Sequence, residues 1–323
     1  MKTKPLVSVD CDTLIFQSAS VCESRTVEVT HIPTGKKKEF SNRTEFKEIM
    51  KSKEKEITSD YVIKDVQVAE DASHVFKLIK NRIEQIKDNF SDCEIVLGAG
   101  ASNNFRDKLP YPTSYKGNRK NTIKPLLLKE AQNYTINVHK AQVAMGCEQD
   151  DYTAILAYNA LRDGRKAYLL SPDGDSRQFD GLALGKYDSK PNDCVDIQFM
   201  HEVAYNDKGF QSYGFPWMVM QAAVGDITDG LNPCYICGKR YGEKGHYNAV
   251  KNFKTKEEHA SYLVNLYKNW YPSEFEYKDC FGNLIKADWK FMLELYWKGT
   301  TMMRSHNEEP CIWKFFNQYG IDL

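Results

Sequence analysis

The sequence predicts an α/β fold, with a mostly parallel, twisted sheet flanked by helices. Short apolar runs typical of buried strands alternate along the chain with stretches whose apolar residues recur every three or four positions, as on one helix face. Several of the strand-like runs end in acidic residues, and ligands of parallel sheets gather beyond the carboxyl ends of the strands. A chain of 323 residues can bury a core of this kind.

The first part of the chain contains two predicted core strands and one long helix. Residues 6–9 form a short buried-type strand, and residues 94–97 form a second one before the turn-rich GAGASNN. Residues 25–33 alternate like a hairpin arm, whereas 34–65 are charged and expected at the surface. Helical periodicity predicts a helix over 67–90. Its apolar positions are Val75, Ile79, Ile83, Ile86 and Phe90.

The next stretch is irregular and basic. Pro110 and Pro112 exclude a continuous core helix over 105–123. Residues 124–132 are predicted to be helical and 135–138 to form a strand.

Nine carboxylates stand at places where a sheet would bring them together. Five of them lie in two clusters, one at the start of a helix over 148–161 and one directly after a strand over 167–171. The others follow the first strand or lie in the sequence VGDITDG. Oxygen ligands of this kind suit hard cations such as Mg²⁺ or Mn²⁺, so we expect one metal site built from four segments. The nine are Asp10, Asp12, Glu148, Asp150, Asp151, Asp173, Asp175, Asp226 and Asp229.

The charge distribution matters more than the net charge. Lysine plus arginine equal aspartate plus glutamate at 44 each, so composition alone does not indicate a nucleic-acid partner. Basic residues concentrate in 105–130 and again in 235–256. Acid clusters together with separate basic segments are typical of an enzyme that holds metal in one place and a polyanion in another.

Cysteine usage and the absence of a long apolar run bear on location. The nine cysteines are scattered and odd in number, which indicates a reducing, cytoplasmic setting. No signal peptide is expected at the N-terminus, and no apolar run approaches the roughly 18–20 residues of a membrane span. Cys234 and Cys237 form a CxxC motif before His246, and ordinary thiols are a better interpretation than half of a zinc site.

Five motifs occur in a characteristic order. They are Asp10, YKGNR at 115–119, EQDD at 148–151, SPDGD at 171–175 and GDITD at 225–229. Together they closely resemble the bacteriophage 5′→3′ exonuclease and flap endonuclease family. Two features depart from the family pattern: GAGASNN lacks the carboxylate many members carry there, and LNPCYICGKR widens the turn that follows GDITD.

The resemblance implies a PIN-like nuclease core over 1–225, with a helical arch at about 103–130. Residues 226–323 would hold a helix–turn–helix-like DNA-binding hairpin and C-terminal helices, and no chemistry is expected beyond about residue 250. YGEKGHYNAV, at 241–250, is similar to the second half of that hairpin, where the family often binds K⁺.

The resemblance also implies a two-metal site that uses Mg²⁺ or Mn²⁺. The first ion would be held by Asp10, Glu148, Asp150 and Asp173. The second would be held by Asp175, Asp226 and Asp229, with Asp151 near both ions and Asp12 standing in for the missing turn carboxylate. Lys116 and Arg119 would contact the scissile phosphate. The full set of expected DNA contacts is Arg106, Tyr115, Lys116, Arg119, Lys120, Lys239, Arg240 and Lys244.

The expected function is therefore a metal-dependent 5′→3′ exodeoxyribonuclease and structure-specific flap endonuclease. Its partners would be DNA with 5′ ends, flaps or nicks, together with replication proteins, in the cytoplasm of a phage-infected host. Two alternatives stay open: a PIN-type ribonuclease, or a catalytically impaired DNA-binding protein. The oligomeric state and the biological role, such as primer removal in replication, stay open as well.

Overall fold

The computed structural model describes residues 3–306 and 308–322, apart from the side chains of residues 120 and 121. A six-stranded sheet forms the centre and is parallel except for its last strand, which runs antiparallel to its neighbour. This confirms the predicted α/β class. In spatial order the strands are β6 (Gln142–Met145), β5 (Glu94–Ser102), β1 (Leu6–Asp10), β7 (Ala167–Leu170), β8 (Gly181–Leu184) and β9 (Val195–Ile197).

Helices cover both faces of this sheet. Alternate residues of β1 face opposite sides because side chains point up and down in turn along a strand. Val7 and Val9 pack against α1 (Asp12–Val21), α3 (Ala72–Asn89) and α4 (Leu128–His139).

Leu6 packs on the other face, which α5 (Gln149–Arg162) covers. Ala154, Ala157 and Ala160 let α5 lie close to the sheet. No helix in the described ranges has the length and apolar character needed to cross a bilayer.

Residues 23–69 form a separate antiparallel layer. Its sheet has the order β3–β2–β4, with β2 (Glu23–His31) in the middle, flanked by β3 (Lys36–Phe40) and β4 (Tyr61–Ala69). Helix α2 (Arg43–Ser52) covers one face and closes a small core of its own. The surface excursion expected over 34–65 therefore contains regular structure.

The C-terminal third is helical, as predicted, and it also contains two short hairpins and many aromatic residues. Twenty-five buried residues, many of them aromatic, make up its core, which also takes in Tyr111 from the basic segment. The elements are β10 (Ala204–Asn206), β11 (Gly209–Gln211), α6 (Gly214–Val224), α7 (Glu243–Val250), α8 (Lys256–Trp270), β12 (Phe275–Lys278), β13 (Leu284–Ala287), α9 (Trp289–Thr300) and α10 (Ile312–Gln318).

Two local predictions were wrong. The turn-rich GAGASNN is largely strand, because β5 continues to Ser102. A Cβ at Gly98 would lie 1.8 Å from the side-chain nitrogen of Gln149 in α5, so that side chain would have to move. Residues 135–138 are helical, not a strand, because α4 places Ala131 and Thr135 in the core and tertiary packing overrides the β-branched composition.

The helical arch expected over 103–130 is also absent as such. The segment holds two short 3₁₀ turns, Phe105–Lys108 and Gly117–Asn121, before α4 begins. Pro110 and Pro112 prevent a helix between these turns, and Lys116 takes a left-handed backbone with φ +52°. We call residues 113–122 the strap.

The strap lies along residues 225–231, which we call the acidic loop. The Lys116 amide donates to the Asp229 carbonyl at 2.7 Å, and the Thr113 hydroxyl donates to the Gly230 carbonyl at 3.1 Å. The Asn118 side-chain amide donates to two further carbonyls of the acidic loop. The strap and the acidic loop therefore form one unit.

Candidate metal centre

The sheet brings the first two acid clusters to one edge. Strands β1 and β7 are parallel neighbours with Val9 opposite Leu170, so the residues that follow them emerge side by side. Asp10 ends β1 and is buried. The Ser171 hydroxyl donates to the Asp10 carboxylate at 3.2 Å, and Asp173 lies two residues further on.

Asp12 opens helix α1 and is held at the end of a third strand. Its backbone N–H donates to Asp10 Oδ1 at 3.0 Å. The Gly100 N–H, from β5, donates to Asp12 Oδ1 at 2.7 Å. The strand end that lacks a carboxylate of its own thus holds the carboxylate of Asp12.

Helix α5 supplies three acids from its first turn. Glu148 is the N-cap residue, with extended backbone, and Asp150 and Asp151 follow in the first turn. Negative charge is favoured there because the unpaired N–H groups and the helix dipole are positive at this end. The Asp150 carboxylate accepts the Asp151 N–H at 2.7 Å.

The second group of acids comes from Asp175 and the acidic loop. The Gln221 side chain of α6 donates to Asp175 Oδ1 at 2.5 Å. Asp226 accepts the N–H groups of Thr228 and Asp229, which fixes the tight turn of the acidic loop.

Gly225 sets the entry to this turn. It has φ +84° and ψ −173°, a conformation that is essentially restricted to glycine. A Cβ on Gly225 would lie 2.2 Å from the Leu231 carbonyl oxygen.

Crowding and desolvation raise several of these pKa values. Burial, followed by the charge of Asp12, raises the pKa of Asp10 to about 7. Burial and then Asp173 raise the pKa of Asp175 to about 8, and burial and then Asp151 raise that of Asp150. Asp12 lies at the exposed edge of the cluster, yet desolvation also raises its pKa. The acids that raise one another's pKa come from all four segments, which therefore lie close together.

Two cations of the strap lie directly over this cluster. Lys116 forms an ion pair with Glu148, and its ammonium lies 3.6 Å from Asp229. Arg119 pairs with Asp229. Burial alone would lower the pKa of Lys116, but Glu148 and Asp229 outweigh it and raise that pKa.

Tyr115, expected to contact DNA, contacts the acids in this structure. Its hydroxyl lies 2.8 Å from Glu148 and 2.9 Å from Asp229, both within hydrogen-bond distance. The ring packs 6.0 Å from that of Tyr111. Tyr115 therefore links the strap to Glu148 and Asp229 through its hydroxyl.

Two expected assignments are corrected by the structure. Asp151, proposed near both metals, is fully buried, and its oxygens accept N–H groups from Arg106, Glu148 and Met303. It has no oxygen left for a metal. Arg106, proposed to contact DNA, is only 3% exposed and binds Asp151 and two carbonyls, so it cannot reach a duplex.

The remaining expected DNA contacts lie elsewhere. Lys239, Arg240 and Lys244 are exposed and line an open groove between the acidic loop and the start of α7. The Lys239 ammonium donates to the Asn269 carbonyl at 2.8 Å. The side chain of Lys120 lies outside the described part of the structure, and K⁺ binding near α7 stays a prediction.

The donor set fits a hard divalent cation. In the described part of the chain, Asp10, Asp150 and Asp175 form no ion pair, and burial raises the pKa of each. A bound cation would stabilise the ionised form of these buried carboxylates. Across the described residues, however, no three acidic, histidine or cysteine side chains already lie in a coordinating arrangement. In this structure Glu148 and Asp229 instead form ion pairs with Lys116 and Arg119.

Sequence reasoning missed the groups that support the site. Ser171, Gln221 and Gly100 each donate to one acid, and the end of α9 supplies carbonyls to Arg106. Only Ser171 stood inside a motif. The C-terminal region, expected to be packing alone, thus contacts residues beside the site.

Comparison with known proteins gives matches among solved structures but none among family models or curated proteins. Among solved structures the chain is similar to a bacteriophage T5 protein crystallised with metal ions, at 15% identity and TM-score 0.36, over 60% of this chain and 80% of that one.

Two further structures of bacteriophage T5 proteins are similar. A flap endonuclease complex with DNA and metal ions has 16% identity and TM-score 0.37, over 60% of this chain and 79% of that one. A 5′-exonuclease with bound zinc has 15% identity and TM-score 0.34, over 68% and 88% of the two chains. Similarity this low carries no functional conclusion, so the function must be argued from the site residues.

Proposed function

We propose that the protein is a metal-dependent 5′→3′ exonuclease and flap endonuclease that hydrolyses DNA phosphodiester bonds. One observation carries the proposal: carboxylates from four distant segments converge beneath two cations of a single strap. Five sequence motifs in family order support the same activity.

The expected ligands divide between the two ends of the cluster. Asp10, Glu148, Asp150 and Asp173 would hold one divalent ion, Mg²⁺ or Mn²⁺. Asp175, Asp226 and Asp229 would hold a second, with Asp12 at the rim. When bound, such ions supply an activated water and neutralise charge on the attacking and leaving oxygens.

The cations of the strap have the complementary task. A phosphodiester that enters the cluster brings negative charge, which Lys116 and Arg119 can bind in place of Glu148 and Asp229. Charge that develops on the non-bridging oxygens in the transition state is then stabilised by groups already in position. The exposed cations Lys239, Arg240 and Lys244, in the groove between the acidic loop and α7, would hold the duplex backbone without sequence preference.

The direct test is cleavage of labelled 5′-flap DNA with excess Mg²⁺. Asp150→Ala and Asp173→Ala should abolish cleavage and leave DNA binding largely intact. Asp92→Ala is the matched control, because Asp92 is exposed just before the amino end of β5, opposite the acids. Cleavage by the first two variants at the wild-type rate would contradict the proposal.

The same assay separates the alternatives. Matched RNA flaps cleaved faster than DNA flaps would favour a ribonuclease. Tight flap binding by the wild-type protein, without cleavage of either substrate at any Mg²⁺ or Mn²⁺ concentration, would favour a binding protein that has lost activity.

A further inference from the structure

Arg106 and Asp151 form a buried ion pair that joins three segments next to the acid cluster. Arg106 donates from Nη2 to Asp151 Oδ1 at 3.1 Å and pairs through Nη1 with Oδ2. Its Nε donates to the Gly299 carbonyl at 3.1 Å, and Nη2 also donates to the Thr301 carbonyl at 2.7 Å. The guanidinium is therefore fixed by the end of α9.

Asp151 is equally constrained. It accepts the Met303 N–H at 2.8 Å and the Glu148 N–H at 3.1 Å. The pair thus ties the C-terminal residues 299–303 to the N-cap of α5, where Glu148 stands.

Arg106 also acts on the Glu148 side chain. Its Nη1 lies 3.6 Å from Glu148 Oε2. Lys116 forms the other ion pair with Glu148. Of these two cations, Arg106 is the buried one, and Lys116 stands on the strap.

A buried pair of this kind is a poor source of stability. Desolvation of two charges offsets much of their attraction, and well-packed apolar side chains of similar volume are often as stable. A pair held by this many directed bonds is better explained by the geometry it imposes. The residue that this geometry positions is Glu148, whose backbone N–H and carboxylate both contact the pair.

We propose that Arg106 and Asp151 are positioning residues that hold Glu148 ready for a divalent ion. They make the C-terminal segment 299–303 part of the wall of the metal site. This inference rests on the proposed function, since it needs a cation at Glu148.

The test measures Mn²⁺ affinity by electron paramagnetic resonance, together with urea unfolding, for the full chain. In R106M/D151L the apolar pair replaces the charges, so we expect a folded protein whose Mn²⁺ affinity falls at least about tenfold. R106K keeps the positive charge but loses the guanidinium group that binds both oxygens of Asp151. We expect its Mn²⁺ affinity to be several-fold below that of the wild type.

Arg304 and Asp180 provide the matched control. They form another ion pair, at 3.1 Å and partly exposed, which also joins the C-terminal region to the core. R304M/D180L should therefore loosen the C-terminal region but bind Mn²⁺ like wild type. A general loosening of the C-terminal region would lower affinity in both variants, which would overturn the inference.

The remaining outcomes are distinct. Wild-type Mn²⁺ affinity in folded R106M/D151L would overturn the positioning role alone. Should that variant fail to fold, unchanged affinity in folded R106K would do the same. A wild-type protein that binds no Mn²⁺ would overturn the proposed function and this inference together.

Discussion

Lys116 pairs with Glu148 at the point where the strap crosses the acid cluster. The same ammonium lies 3.6 Å from Asp229, so one cation links an acid expected at each metal. In the proposed mechanism, Lys116 would exchange these carboxylates for a phosphate of the bound DNA. This relationship connects the fold of the strap to the proposed chemistry.

Lys116→Ala should slow turnover far more than it weakens DNA binding. The ammonium is expected to stabilise charge that develops only in the transition state, so kcat should fall about 100-fold while the DNA Kd changes less than about threefold. Single-turnover cleavage and fluorescence anisotropy measure the two quantities. Lys108→Ala is the control, since Lys108 is exposed in the same basic segment. A change in Kd alone would assign Lys116 to electrostatic capture.

Gly225→Ala should destabilise the protein and disturb the second group of acids. Its backbone conformation is almost restricted to glycine, at a cost of about 1–3 kcal/mol for other residues, and the new methyl group would meet the Leu231 carbonyl.

Gly164→Ala is the matched control because Gly164 also has positive φ, +71°, but nothing lies within 4 Å of its would-be Cβ. Urea unfolding should show a loss at least about 1 kcal/mol larger for Gly225→Ala than for Gly164→Ala. Equal losses would show that the collision is relieved and that Gly225 does not fix the acidic loop.

Acid should destabilise the protein through two buried histidines, one in α7 and one in α8. Burial lowers the pKa of His246 to about 3 and that of His259 to about 4. The unfolded chain therefore binds more protons than the native state below their ordinary pKa, and stability that is present above that value is lost as pH falls. At about pH 5 the loss is about 2 kcal/mol for each histidine.

His259→Phe isolates this contribution, because the ring already packs against Phe215 and Phe253. The carboxyls with raised pKa values, Asp10 and Asp175, act in the opposite direction and are common to both proteins. Urea unfolding from about pH 8 to about pH 5 should show a smaller loss in the variant by about 2 kcal/mol. If the free energy of unfolding of the two proteins changed in parallel with pH, His259 would not contribute to the loss of stability in acid.

Asp150→Asn should stabilise the metal-free protein and remove its response to metal. Asp150 has no cation partner among the described residues and is repelled first by Asp151 and then by Glu148. Its neutralisation should raise the free energy of unfolding in a chelator by about 1 kcal/mol.

With Mg²⁺ at about 100 times its Kd, the wild-type protein should gain about 2.7 kcal/mol, and the variant far less. Asp92→Asn, outside the cluster, should behave like wild type in both conditions. A variant less stable than wild type in chelator would mean that Asp150 already makes a favourable contact in the metal-free state.

The strands and the acids could be predicted because their signals are local. Residues 6–9 and 167–171 are apolar runs followed by acid, and both lie in parallel strands that deliver Asp10 and Asp173 to one edge. The conformation of the basic segment was not predictable in the same way. Its prolines excluded a continuous helix, but the path of the strap is set by hydrogen bonds to the acidic loop, more than a hundred residues away.

The roles of Arg106 and Asp151 could not be predicted for a related reason. A charge in a basic segment and an acid in an acid motif look like contacts for DNA and metal. Their pairing depends on carbonyls at Gly299 and Thr301, which carry no side-chain signal in the sequence. Burial, which only the fold reveals, decides between the two interpretations.

A Mn²⁺ titration of the metal-free protein would show whether the acid cluster binds divalent ions. Electron paramagnetic resonance of free Mn²⁺ should show two ions bound per chain at saturation, and fewer in Asp10→Asn and Asp175→Asn. Asp92→Asn should bind as wild type does. No saturable binding up to about ten millimolar Mn²⁺, or equal binding by all four proteins, would contradict the account.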